Sequence, residues 1–233
     1  MEITWLGHSA FRIRSGDIVI VTDPFADSVG FPLPQVKANI VTVSHPHPHH
    51  ANSQAVQGSP RVLRGPGEYE SAGVHILGLG SKLKPEAGPG PRNTIFIITL
   101  EGITLCHLGD LGEVPPARFG ETLSRAQVLF IPAGGLCTIT AAQAVEAIAL
   151  VSPRIIIPMH YLTPGLAVQL NPLDSLLNEM GQRPPPSQPR LLVTRTNLPE
   201  EPRLVLRSEA SGGEAASPPD SSLPLGMTFV AVF

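Results

Sequence analysis

His45-Pro46-His47-Pro48-His49-His50 packs four of the chain's eight histidines into six positions, directly after the β-branched run at 40–43. Imidazole is the commonest metal-binding side chain, because its neutral nitrogen suits Zn, Fe, Ni or Mn. A proline disfavours the helical region for the residue before it, so His45 and His47 are pushed towards extended backbone. Residues two apart in an extended segment point the same way, which aligns His45 and His47, with His49 next in that series. A turn at Pro48 that starts a helix would bring His50 round to the same centre. The competing reading is a solvated His/Pro-rich loop that meets metal only adventitiously.

Two later segments favour a built site. Cys106-His107-Leu108-Gly109-Asp110 closes one apolar run with an acid, and Ile155-Ile156-Ile157-Pro158-Met159-His160 closes another with an imidazole. Strand ends held by a rigid sheet are where ligands are usually mounted. Short β-branched runs at 3–6, 11–13, 18–21, 40–43, 74–79, 94–100 and 103–106 give the first half a strand-rich pattern. Ser15-Gly16-Asp17 between two of them reads as a hairpin turn. Further strands are expected at 128–131 and 155–157, and a terminal pair at 191–194 and 204–206.

One helix is expected at 140–151, with a stripe of Ala141, Ala144, Val145, Ile148 and Ala149 and a cap from Thr138 or Thr140. A second covers 173–180 and stops at Gly181, and a weaker third covers 117–125. Strands at both ends with helices between them imply two packed sheets flanked by helices. Residues 182–189 are a proline-rich connector, and 208–224 is Gly/Ser/Ala/Pro-rich with little to bury, so a domain at 1–206 is followed by a loose tail at 207–233.

As an ordered set, the motifs resemble the metallo-β-lactamase-fold hydrolases. Trp5-Leu6-Gly7-His8-Ser9, Thr22-Asp23-Pro24-Phe25, Gly67-Glu68-Tyr69-Glu70, His107-Leu108-Gly109-Asp110 and Pro158-Met159-His160-Tyr161 are similar to one branch of small Zn-dependent hydrolases, near the bacterial ascorbate-6-phosphate lactonase group. The resemblance implies a four-layer αββα sandwich with ligands along one edge. It places His45 and His47 as the first two ligands of metal site one, and His50, Asp110 and His160 at site two or the bridging position. Zn, or Mn, Fe or Ni, is the implied cofactor, with one or at most two ions. Their role would be to activate a hydroxide against an ester, lactone, amide or phosphoester of a small-molecule substrate.

The chain departs from that pattern twice. His49 stands where the family has Asp, and the stretch 80–91, where a third site-one histidine is expected, holds none. His75 falls inside an expected strand, which leaves His49, a water or Glu86 to complete site one. These departures keep a second reading open, a non-catalytic descendant that retains the fold and a metal or ligand site. His8 and Tyr161 are candidates to touch substrate or support a ligand. His107 reads as a structural histidine, Asp23 as a turn-former able to orient a ligand histidine, and Glu68 and Glu70 as solvated loop acids.

Composition sets the outer bounds. The 233 residues are 42% hydrophobic, enough for one domain with a substantial core. A net charge of −3 with scattered Lys and Arg excludes a nucleic-acid surface. Cys106 and Cys137 are too few for a disulfide framework and read as small buried thiols. The opening segment is charged at Glu2 and lacks a long apolar core, so neither a signal peptide nor a membrane anchor is expected, and the location expected is cytoplasmic.

Overall fold

The computed structural model describes residues 1–84 and 92–208. Glu86 as a substitute donor and the tail from 209 onward lie outside the described residues.

Alternation of apolar side chains builds two sheets. Six strands pair in the order β12-β1-β2-β3-β4-β5: β12 (Leu191–Leu192), β1 (Glu2–Gly7), β2 (Ala10–Ser15), β3 (Ile18–Thr22), β4 (Ile40–Val43) and β5 (Arg61–Arg64). Seven more pair as β13-β11-β10-β9-β8-β7-β6: β13 (Arg203–Leu204), β11 (Ile155–Met159), β10 (Val128–Pro132), β9 (Ile103–His107), β8 (Asn93–Leu100), β7 (Val74–Ser81) and β6 (Gly67–Ser71). Each sheet is part antiparallel and part parallel: β3, β4 and β5 run parallel in the first, and β9, β10, β11 and β13 in the second.

The period of two decides which side chains meet between the sheets. Along β8, Phe96, Ile98 and Leu100 enter the inter-sheet core while Ile95 and Ile97 enter the outer layer. Phe11 and Phe130 meet across the sandwich with ring centroids 4.5 Å apart. Each fully buried ring of this kind contributes about 1.5–3 kcal/mol of apolar burial.

Helices cover the outside of the second sheet. α1 (Gly120–Leu123) follows a 3₁₀ turn at Ala117–Phe119, so the helix expected at 117–125 is present in shortened form. α2 (Ala141–Val151) starts at a capping box in which the Thr140 hydroxyl accepts from the Gln143 amide and the Gln143 side chain accepts from the Thr140 N–H. Its buried face is Ala144, Ala147 and Val151, whereas Ala149 of the expected stripe is exposed. α3 (Asp174–Glu179) contributes Leu176 and Leu177 to the same layer.

The outer face of the first sheet differs from the expected helical layer. Val21, Val41 and Val43 there pack under Phe25, Val29, Val36 and Val56, carried by loops and by 3₁₀ turns at Asp27–Val29 and Ser53–Ala55. The histidine cluster therefore leads into a 3₁₀ turn and not an α-helix.

β5 and β6 escape the sequence reading because arginines close both ends of β5, glutamates alternate along β6, and a proline precedes each, which is how sheet edges are protected. Glu68 and Glu70 are exposed on the β6 edge strand, not in a loop. The expected terminal pair of strands is also corrected: β12 joins β1 and β13 joins β11, in opposite sheets. Each finds a longer strand edge to complete, which two isolated dipeptide strands would not offer one another.

Candidate metal centre

The parallel strands of both sheets end on one edge, and the candidate ligands sit just past those ends. β4 delivers Ser44 and His45, β3 delivers Asp23, β9 delivers Asp110, and β11 delivers His160. Backbone bonds lock the two sheets together here: Thr94 N–H donates to Ser44 O at 2.9 Å, and His160 N–H to His8 O at 3.2 Å.

Asp110 is the hub. Its Oδ2 lies 3.2 Å from His50 Nε2, 3.3 Å from His160 Nε2 and 3.8 Å from His45 Nε2, and all four side chains are buried. Burial alone would raise the Asp110 carboxyl; the charges of His160 and His50, and their hydrogen bonds, hold it well below the usual carboxylate range. Asn93, fully buried on β8, aims the acid: its Oδ1 accepts from Asp110 N–H at 3.1 Å while its amide donates to Ser81 Oγ and Leu108 O.

Asp23 sets the opposite face of the histidines. It accepts Ser44 N–H at 2.8 Å, the Ser44 hydroxyl at 2.5 Å and His50 Nδ1–H at 3.1 Å. Because the Ser44 hydroxyl proton goes to Asp23, its oxygen accepts from His45 Nδ1–H at 3.1 Å. One carboxylate thus directs Nε2 of both His45 and His50 towards Asp110. Burial would raise the Asp23 carboxyl, but the His50 hydrogen bond, the charges of His107 and His50, and the Ser44 bond lower it.

The imidazoles divide by protonation. Burial pushes His45 down to about 4, helped by the charge of His50. Burial would also lower His50, but the charge of Asp110, with hydrogen bonds donated to Asp110 and Asp23, lifts it to about 10. Without an ion His50 therefore carries both protons, and a cation would take the place of the one on Nε2.

The cluster does not lie extended as its prolines imply. His47 N–H donates to His45 O at 2.9 Å and His50 N–H to His47 O at 2.8 Å, so two successive turns replace the period of two. His45 and His50 point inward together, with ring centroids 4.4 Å apart. His47 and His49 stand on the outer side, partly exposed, with ring centroids 4.6 Å apart. His47 Nδ1 accepts from the His49 N–H at 3.3 Å. Burial first, then the charge of His47, lowers His49 to about 4.

His8 is far more central than its sequence position suggests. It is 1% exposed, lies 4.4 Å from the His160 ring and 5.1 Å from the His50 ring, and neither of its ring nitrogens has a hydrogen-bond partner. Burial and then the charge of His160 hold it well below the ordinary histidine value. Asp110 Oδ1 and His160 Nδ1 are likewise buried without partners. Backbone at His8, Asp23 and His160 is left-handed, at φ +50°, +39° and +52°, a conformation that non-glycine residues keep only where surroundings impose it.

Among the described residues, every set of three or more His, Cys, Asp or Glu donors close enough to share an ion lies at this centre: His8/His50/His160, His45/His50/Asp110 and Asp110/Cys137/His160. Cys137, Asn93 and Ser44 are the residues that sequence reasoning missed. His107 is tied up elsewhere, with Nε2–H donating to Ser9 O at 3.0 Å and Nδ1 accepting from Gly109 N–H at 3.2 Å. Tyr161 rests on Trp5, ring centroids 5.6 Å apart. His75 sits exposed near the far end of β7, six residues or about 20 Å from Ser81. A cleft of about 500 Å³, lined by Ser44, His45, Arg64, Arg92 and Thr94 among others, opens beside the centre.

Residues 2–160 match the model of the β-lactamase superfamily domain. The chain belongs to the β-lactamase superfamily. This superfamily member is 31% identical over 198 residues to a UPF0173 metal-dependent hydrolase of Pelotomaculum thermopropionicum, covering 70% of this chain and 85% of the relative. A relative of the same name from Archaeoglobus fulgidus is 28% identical over 211 residues, covering 75% and 88%. A crystal structure from Thermotoga maritima, of a candidate Zn-dependent hydrolase of the metallo-β-lactamase superfamily, is 36% identical and superposes with a TM-score of 0.72. It covers 89% of this chain and 98% of that one. At that general level the metal-dependent hydrolase reading of this β-lactamase-superfamily chain stands, as does its two-sheet fold. Among the described residues, no helix is long and apolar enough to cross a membrane.

Proposed function

We propose that this protein hydrolyses an ester, lactone, amide or phosphoester bond of a small molecule, using a transition ion, zinc foremost. His45, His50, Asp110 and His160 hold the ion, with His47 and His49 as donors on the open side. The observation that carries this reading is the approach of three Nε2 atoms to one carboxylate oxygen at 3.2–3.8 Å. Nitrogen donors with a single carboxylate suit zinc, with manganese, iron and nickel as alternatives. The unpartnered Asp110 Oδ1 and His8 ring nitrogens fit the same account, because buried polar atoms otherwise find partners.

When bound, such an ion lowers the pKa of coordinated water and polarises the scissile group. The chain's own residues do the rest. Asp110 supplies the negative charge that offsets the cation. Asp23 and Ser44 fix two histidines in the tautomer that offers Nε2. His8, neutral and unpartnered, is placed to take up or release a proton beside the centre. The cleft at Arg64 and Arg92 provides room for substrate next to His45.

Elemental analysis of protein purified without added metal, followed by a panel of esters, lactones, amides and phosphoesters, tests the proposal. About one transition ion per chain or fewer is expected, given the missing third histidine. Hydrolysis of at least one class should be lost to chelator and restored by Zn²⁺ or Mn²⁺. Protein that takes up no ion and shows no chelator-sensitive hydrolysis would sink the proposal.

A further inference from the structure

We infer that Cys137 is a metal ligand, its thiolate sulfur joining Asp110 and His160 around the ion on that side of the centre. The inference rests on the metal site proposed above and adds a donor of a different chemical kind.

The ligand atoms of Asp110, Cys137 and His160 all lie within 4.8 Å of one another. Ligands at ~2.0–2.3 Å in a tetrahedral shell sit ~3.5 Å apart, so modest side-chain adjustment closes the set. Asp110 makes that closure useful. Its Oδ2 faces three imidazoles, while Oδ1, on a residue only 4% exposed, has no partner. His160, 2% exposed, likewise has an unpartnered Nδ1. Two buried polar atoms left without hydrogen-bond partners beside a sulfur fit a bound cation.

The segment bearing Cys137 is fastened to both partners through backbone. Ala133 N–H donates to Met159 O at 2.9 Å, immediately before His160. Ile139 N–H donates to Leu111 O at 2.8 Å, immediately after Asp110. Gly134 lies so close to His160 that a Cβ there would fall 2.3 Å from its carbonyl oxygen. Leu136, next to Cys137, is held left-handed at φ +50°. Cys106, by contrast, is buried under the helical layer, and burial raises its thiol far above the ordinary value. Sulfur binds zinc and cobalt strongly, so a thiolate adds a strong donor beside Asp110 and His160. Coordination releases the thiol proton to solvent.

Cobalt(II) substitution of the full chain tests this directly. Bound cobalt shows visible d–d bands whatever its ligands, and sulfur ligation adds a near-ultraviolet charge-transfer band. The wild type should show both. Cys137→Ser should retain the visible bands and lose the near-ultraviolet one, while Cys106→Ala should keep both. Visible bands without the sulfur band in the wild type would overturn the inference and leave the metal site standing. No cobalt spectrum at all would overturn both readings. In the Cys106→Ala background, Zn²⁺ should also slow labelling of Cys137 by an aromatic disulfide reagent; labelling at an unchanged rate in zinc-loaded protein would count against ligation.

Discussion

Asp23→Asn keeps the shape of the side chain while it exchanges one carboxylate oxygen for an amide nitrogen and removes a buried charge. The position is left-handed, at φ +39°, which asparagine tolerates as well as aspartate does. Its Oδ1 can still accept the Ser44 N–H, now 2.8 Å away. At the place of Oδ2, however, an amide NH₂ would face the Ser44 hydroxyl and His50 Nδ1–H, two donors that the carboxylate now accepts at 2.5 and 3.1 Å. The conflict resolves only if both turn. Ser44 then accepts from the amide and donates to His45 Nδ1, and His50 Nδ1 becomes an acceptor. His45 moves its proton to Nε2 and His50 keeps only the one on Nε2, the nitrogen that a metal needs. Loss of such an outer partner typically costs 10–100-fold in metal affinity. Because two ligands are affected, we expect the upper end, about 100-fold or ~2.7 kcal/mol. Metal-free stability should fall by about 1.5–3 kcal/mol, one charge-assisted hydrogen bond in a network whose members are not additive. Chelator-competition titration with Zn²⁺ reads the affinity, and long-range ¹⁵N–¹H NMR of the imidazoles reads the tautomers. Affinity within twofold of wild type, with His45 and His50 still protonated on Nδ1, would refute the relay.

Other perturbations probe the same centre. Asn93→Ala removes the acceptor for Asp110 N–H and strands that buried donor, and should lower stability by about 1–3 kcal/mol in denaturant titration, with weaker Zn²⁺ binding alongside. Gly109→Ala places a Cβ 2.3 Å from Asn93 Oδ1 and 2.6 Å from Ser44 Cβ at φ +58°, so it should cost more than the roughly 1–2 kcal/mol of left-handed strain alone; a neutral effect would contradict the packing described. Metal-free protein should be most stable near pH 6–7. His50, lifted to about 10 from 6.5, contributes fully below 6.5 and loses that contribution as pH rises towards 10, whereas His45 and His49, lowered to about 4, contribute fully above 6.5 and lose it as pH falls. Melting temperatures of chelator-treated protein across pH 4–10 check both limbs, and a steady rise from pH 7 to 10 would be the wrong sign. His49→Asp exchanges a neutral donor for a carboxylate and should strengthen Zn²⁺ and Mn²⁺ binding in parallel titrations; unchanged affinity would mean that His49 faces solvent in the loaded protein.

The legible part of the site was the part written as a local pattern. Histidines grouped after an apolar run, and an acid and an imidazole each closing another, needed only the rule that strand ends present ligands. The β-branched run at 94–100 announced β8 in the same way. Asn93 and Cys137 carry no such mark: each is a single polar residue whose neighbours come from other strands, and only the sandwich brings them to the centre. Asp23 reads as a turn-former able to orient a histidine, but which histidine it holds follows only from the pairing of β3 with β4. The extended reading of His45 to His49 failed because proline's preference for non-helical backbone is met equally well by consecutive turns. β5 and β6 were hidden by the charges that keep sheet edges from pairing with other molecules.

The placement of β12 and β13 bears on how the molecule is made. β1 is synthesised well before β12, yet one of its edges stays open until β12, almost 190 residues later, is available to cover it. The parallel stack β9-β10-β11 waits similarly for β13. Arg207 then reaches back to donate to Ile3 O at 2.6 Å, joining the last described segment to the first strand. Nascent or truncated chains therefore display two unsatisfied strand edges, the surfaces through which partly folded proteins associate. A chain interrupted before Leu191 would carry all of His45, His50, Asp110 and His160 and still lack the closing strands of both sheets. For this fold, completion of the ligand set precedes completion of the container.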